Sequence, residues 1–112
     1  MKRIEAIIRP QRAEAVSESL SFFGHKGVTV VQARGHGIQG GVTQAWRGVE
    51  HRVDLLPKSI LAVVVEDQDV EECIDVIVKS ARTGRMGDGK IFVTDVEEVI
   101  RIRTGEEGSA AI

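Results

Sequence analysis

Residues 83–93, TGRMGDGKIFV, place three glycines, an aspartate and Lys90 between a helix-like run and a strand-like run. Successive backbone N–H groups in so permissive a turn can form a concave nest for an anion, and Lys90 adds a point charge suited to phosphate. A tight turn needs only one glycine, so the surplus suggests that something outside the chain approaches this backbone closely. Neither a Walker A loop nor a dinucleotide fingerprint fits, because both require a helix after the glycines and a strand follows here. Further on, Arg101 and Arg103 stand two apart in the alternating stretch VIRIR. In a strand both guanidinium groups would face one side, with Ile100 and Ile102 facing the other. Lys90, Arg101 and Arg103 could then converge on a polyphosphate. The alternative is a solvated strand edge whose arginines pair with Glu97, Glu98, Glu106 or Glu107.

The elements that carry these residues follow from hydrophobic period. Residues 2–9 alternate, with Ile4, Ala6 and Ile8 on one side, and Pro10 ends the strand. From Gln11 to Phe23 the spacing turns helical, with Ala13, Val16, Leu20 and Phe23 recurring and Gly24 as the stop. Val28–Arg34 is β-branched and reads as a strand. Ser59–Val65 is a nearly continuous apolar strand. Asp67 or Asp69 then caps a helix with Glu71 and Glu72 in its first turn and a stripe of Val70, Cys73, Ile74, Ile77 and Ala81. Lys79 and Arg82 sit near its C-terminal end, where the dipole favours cations, and Gly84 follows as the C′ residue. Ile91–Val96 is a fourth strand and Val99–Arg103 a short fifth. The order predicts an α+β, ferredoxin-like βαββαβ fold with both helices on one face of an antiparallel sheet. Because ILAVVV is apolar on both faces, the uncovered face is expected to be an association surface between copies of the chain.

A length of 112 residues implies one domain. With 15 basic and 17 acidic residues, the net charge of −2 gives no bulk attraction to nucleic acid or an anionic membrane, so an anion site must be a local cluster. The single cysteine, Cys73, reads as a buried small hydrophobe. No signal peptide and no membrane span are expected, which points to the cytoplasm. At 4% aromatic residues the chain lacks the stacking platform of an RNA reader, and His25, His36 and His51 show no metal-ligand spacing.

Between the second and third strands lies a long loop, Gly35 to Pro57, with five glycines and with Trp46 beside Arg47. Two antiparallel neighbours can be joined by two residues, so this loop is read as a binding segment ordered by a ligand or partner, rather than as a spacer. Trp and Arg are residue types that commonly carry interface energy.

The whole chain resembles the PII nitrogen-regulatory signal-transduction proteins. MKRIEAIIRP is similar to the family's start, LLPKS to the end of its long loop, TGRMGDGKIFV to its C-terminal signature and VIRIRTGEEGSAAI to its tail. The resemblance implies a homotrimer with a flexible T-loop at about residues 37–56, a glycine-rich B-loop at 83–90 and a tail at 97–112. It also implies that ATP or ADP binds between subunits, that 2-oxoglutarate joins Mg2+ and ATP, and that the T-loop docks on a transporter, enzyme or kinase of nitrogen metabolism. Residue by residue, Gly87, Asp88, Gly89 and Lys90 would hold phosphates and sugar, with Arg101 and Arg103 reaching in from a neighbouring chain. Ile7, Thr29, Gly35, Gly37, Ile38 and Val64 would line the cleft. Gln39 would ligate Mg2+ and touch 2-oxoglutarate, Lys58 would pair with a carboxylate, and the backbone near Gly37 and Gly41 would complete that pocket. Trp46, Arg47 and His51 would meet the partner.

The chain departs from the family at four places. His51 stands where a nucleotidylated tyrosine is usual, and Val49 where some relatives carry a phosphorylated serine, so neither modification is expected. Ile38 replaces an arginine at the phosphates, a loss of about 1.5–3 kcal/mol for a charge-assisted contact. Ala62 replaces a glutamate near the cleft. A regulatory binding protein is therefore expected, with a slow ATPase using His36 or His51, or a sensor of nucleotide with another small anion, as the alternatives.

Overall fold

A computed structural model describes residues 1–36, 42–46, 49–53 and 55–112, with side chains outside the description over 42–46 and 49–53. Strands β1 (Lys2–Ile8), β2 (Thr29–Gly35), β5 (Leu56–Val65) and β6 (Lys90–Asp95) form one sheet in the order β2-β5-β1-β6. Every neighbouring pair is antiparallel. Helices α1 (Ala13–Phe22) and α2 (Val70–Ala81) are the crossovers from β1 to β2 and from β5 to β6, and they pack side by side. This is the ferredoxin-like arrangement anticipated from the order of elements.

Alternation along the strands decides which face is covered. Ile4, Ala6 and Ile8 of β1 and Leu61, Val63 and Val65 of β5 are buried beneath Val16 and Leu20 of α1 and Cys73, Val76, Ile77 and Ala81 of α2. Burial pushes the Cys73 thiol up to about 11, with Glu72 and Asp69 adding to the effect, so it is a packing group. The opposite face carries Val31, Ile60, Ile7 and Lys90 in one row across the four strands. The next row holds Thr29, Ala62, Glu5 and Phe92. Among the described residues no helix covers this second face; Val31 is 52% and Phe92 49% exposed.

Several expectations are corrected. Residues 99–103 are not a strand: Arg101 N–H donates to Glu106 O and Gly105 N–H to Arg101 O, each at 2.8 Å, folding the tail into a turn that is closed by an Ile100–Glu107 bridge. Glycines at 105 and 108 with φ of +73° and +68° allow that reversal, which the VIRIR alternation hides. Phe23 lies beyond the last helical turn and is 52% exposed. Neither Asp67 nor Asp69 caps α2 through its side chain; a short 3₁₀ turn over Asp67–Asp69 leads in, and Asp67 accepts from the chain's terminal amine at 2.8 Å. The helix ends on Arg82 in an extended conformation, two residues before Gly84. Val76 joins the buried stripe because α2 packs both on the sheet and on α1. The segment from Gly35 to Pro57 is not all loop: β3 (Val42–Trp46) pairs with β4 (Val49–Val53), and β5 begins at Leu56.

Candidate functional site

The glycine turn joins α2 to β6. Gly84, Gly87 and Gly89 have φ of +86°, +96° and +100°, a backbone that side chains rarely adopt. At Gly89 a second constraint applies. A Cβ there would stand 1.6 Å from the carbonyl oxygen of Ile7. This glycine answers a contact within the chain, which corrects the expectation that every surplus glycine serves an outside ligand.

Asp88 organises the turn. Its Oδ2 accepts the N–H groups of Thr83 and Gly84, both at 2.9 Å, and its Oδ1 accepts the Thr83 hydroxyl and Arg9 Nε–H, the latter at 3.1 Å. The Thr83 hydroxyl, helped by the Thr83 amide, Arg9 and the Gly84 amide, holds the carboxyl well below its ordinary range against the opposing effect of desolvation. The second arm of Arg9 donates from Nη2 to Met86 O at 2.7 Å. With these bonds made, the N–H of Gly87 has no acceptor among the described residues, while the N–H of Asp88 closes the turn over Met86 and Gly87 toward the Arg85 carbonyl. An unpaired backbone N–H on a left-handed bend is a contact that an anion can take.

Four of the expected site residues collect at this end of the uncovered face. Ile7 lies directly opposite Lys90, whose ammonium makes no hydrogen bond or ion pair among the described residues. Lys58, one row further out, donates to Gly87 O at 3.4 Å. Gly35 faces Leu56 nearby, with space for a Cβ 4.0 Å from the Lys58 side chain. Thr29 and Val64 belong elsewhere on the same face. They line a cleft of about 190 Å³ with Arg3, Gly27 and Ala62. Thr29 is on edge strand β2 and Lys90 on edge strand β6, so roughly 14 Å of sheet separates them at ~4.8 Å per strand.

The tail does not close that gap within one chain. β6 runs from Lys90 away from the glycine turn, and Val96 N–H binds Met1 O at the far end. Arg101 is engaged in the tail itself, donating from Nη1 to Glu106 Oε1 at 2.8 Å and from Nη2 to Ala110 O at 2.9 Å. The salt-bridged alternative is therefore what the structure displays for Arg101. Arg103 makes no hydrogen bond or ion pair among the described residues. Gly37, Ile38, Gln39, Gly41 and Arg47 lie outside the described residues, and for Trp46 and His51 only the places in β3 and β4 are given.

Two contributors were missed from sequence: Arg9 and Thr83. Arg9 has the same strand parity as Arg3, Glu5 and Ile7, which would have placed it on the uncovered face beside Lys58, but no motif singled it out. Among the described residues no cluster of three metal-ligating side chains occurs, and no helix is long and apolar enough to cross a membrane.

The antiparallel sheet with two helices on one face defines the class as a ferredoxin-like α+β domain, and comparison with known proteins makes it specific. The family model described as Nitrogen regulatory protein P-II matches residues 1–106. The chain belongs to that family. It is 56% identical to Nitrogen regulatory protein P-II of Azospirillum brasilense, over the whole of both chains. It is 52% identical to Nitrogen regulatory protein P-II 2 of Methanothermobacter thermautotrophicus, covering all of this chain and 97% of that one. Among solved structures, Arabidopsis thaliana PII bound to citrate superposes with a TM-score of 0.82 at 40% identity, covering 99% of this chain and 91% of that one.

Proposed function

We propose that this protein is a regulatory binding protein of nitrogen metabolism, acting in the cytoplasm as a homotrimer. It senses ATP or ADP at the glycine turn and, with Mg2+ and ATP, 2-oxoglutarate beside Lys58. The β3–β4 segment reports the ligand state to a target protein. The observation that carries the reading is the turn itself: the N–H of Gly87 without an acceptor among the described residues, next to an ammonium at Lys90 without a counter-ion among them. Such a site suits phosphate oxygens, which accept only. Family membership supports a regulatory role, and the citrate bound by the Arabidopsis relative supports a small polycarboxylate as the second ligand.

Two features favour a site shared between copies. Thr29 and Lys90 lie on opposite edges of the sheet, and the tail arginines start from the end of β6 remote from the turn. A neighbouring copy supplying Thr29, Arg101 and Arg103 would complete one cleft, and the Arg101–Glu106 pair is exposed enough to be exchanged for a phosphate. Gln39, to which the resemblance assigns Mg2+, is outside the described residues. Isothermal calorimetry with ATP, ADP and AMP at millimolar concentration tests the reading, followed by 2-oxoglutarate with and without Mg2+ and ATP. Heat with a nucleotide is expected, and silence with all three would refute it.

A further inference from the structure

We propose that the side chains of Arg9 and Asp88 act as one positioning clamp, shaping the glycine turn for an anion while touching no ligand themselves. The proposal rests on the nucleotide reading above and concerns how that site is built. Asp88 spends both carboxylate oxygens inside the chain, on the Thr83 hydroxyl and amide, the Gly84 amide and Arg9. It is thus occupied as an acceptor, and a carboxylate beside phosphate would in any case repel it. Arg9 reaches the turn from the end of β1 with a two-pronged grip, Nε on Asp88 and Nη2 on the Met86 carbonyl. Both side chains are mostly covered, at 21% and 25% exposure, so the pairing is screened less than a surface ion pair.

The geometry has a direct consequence for the ligand. Drawing the Met86 carbonyl toward Arg9 fixes the peptide plane that precedes Gly87, because the C=O and the next N–H share one plane and point opposite ways. The Gly87 N–H is therefore aimed away from the guanidinium. Asp88 fixes the other end by gathering the amides of Thr83 and Gly84 behind the turn. The two residues together present the turn with the Gly87 N–H outward. Without the clamp the glycines would return to many conformations, and binding would have to restore one of them.

The test compares ADP affinity, by calorimetry at pH 7.5, for the wild type, Arg9→Ala, Arg9→Lys, Asp88→Asn and the Arg9→Ala/Asp88→Asn pair. Each of Arg9→Ala and Asp88→Asn is expected to weaken ADP by roughly tenfold or more, the scale of a lost charge-assisted hydrogen bond. The double variant should lose less than the product of the two, since they act as one unit. Arg9→Lys, which keeps a donor but not the fork, should fall between. The backbone amide resonances of Gly84, Gly87 and Gly89 in the unligated protein should move alike in both single variants, with the methyl resonances of Ile4 and Leu61 unmoved. Wild-type affinity in Asp88→Asn overturns the clamp, because an Arg9 effect alone would mean that Arg9 meets the ligand directly. If the wild type binds no adenine nucleotide, the functional reading fails first. The clamp is then judged on the amide resonances, and unshifted glycines in Arg9→Ala overturn it.

Discussion

Asp88 ties pH to the local order of the turn. Its folded-state pKa lies below the ordinary 3.8, so its ionised form is favoured by folding. The stability it contributes is complete well above pH 3.8, declines as the pH falls past that value, and is lost once the pH drops below the depressed folded-state value. Amide resonances of Thr83 and Gly84, followed from pH 6 downward, should hold steady through pH 3.8 and shift only well below it, where the folded-state carboxylate takes up its proton, and Asp88→Asn should abolish that titration. The readout has to be local. Asp67, held low by its hydrogen bond and charge interaction with the Met1 amine, weakens the fold in the same acid range. The site's side chains were only partly legible at this scale. The glycines and Lys90 suggest an anion contact from composition, although Gly89 answers the Ile7 carbonyl instead. Asp88, by contrast, reads as a polar turn residue whose carboxylate could point either way, and only the position of Arg9 decides it.

For the elements, hydrophobic period was a sufficient guide wherever one face meets the core. Ile4, Ala6 and Ile8 repeat at two, Val16 and Leu20 at four, and Cys73, Ile77 and Ala81 at four, and all are buried. Ile77 fills the space between α2 and the sheet and is 1% exposed. Ile77→Ala should cost about 2–5 kcal/mol, from lost transfer energy plus the residual cavity, and urea unfolding measures it. Period misleads where nothing packs against the alternation. VIRIR alternates as well as β1 does, yet Ile102 is fully exposed at 101% and the chain turns on Gly105. Among the described residues no strand pairs with it, since β6 ends at Asp95. The pairing of β3 with β4 was hidden for the converse reason. By register Val42, Trp46, Val49 and Val53 share a parity with Gln44 and His51, and this polar pair in the middle breaks the apolar alternation that would have announced two strands.

Considered as a whole molecule, one layer of helices covers a sheet that is apolar on both sides. Ile60, Ala62 and Val64 continue the hydrophobic run of β5 on the uncovered face, flanked by Val31 and Phe92. Leaving these in water forfeits their burial energy, about 25 cal/mol for each Å². In solution the protein should sediment at about three times its 12.2 kDa chain mass. Placing a charge at the centre of the surface, as in Ile60→Asp, should return it to monomers with the helix-covered core intact, because a buried unpaired carboxylate is strongly disfavoured. Analytical ultracentrifugation distinguishes the two states. A wild type that sediments as a monomer would remove the case for shared clefts.

The contact between position 89 and the Ile7 carbonyl makes a statement about tolerated genetic variation. Randomising codon 89 and selecting merely for chains that fold should return glycine alone, since any Cβ meets main-chain oxygen that cannot step aside. Codon 84 offers a control a few residues away: its φ is also positive but its surroundings are open, so asparagine and aspartate should survive there beside glycine.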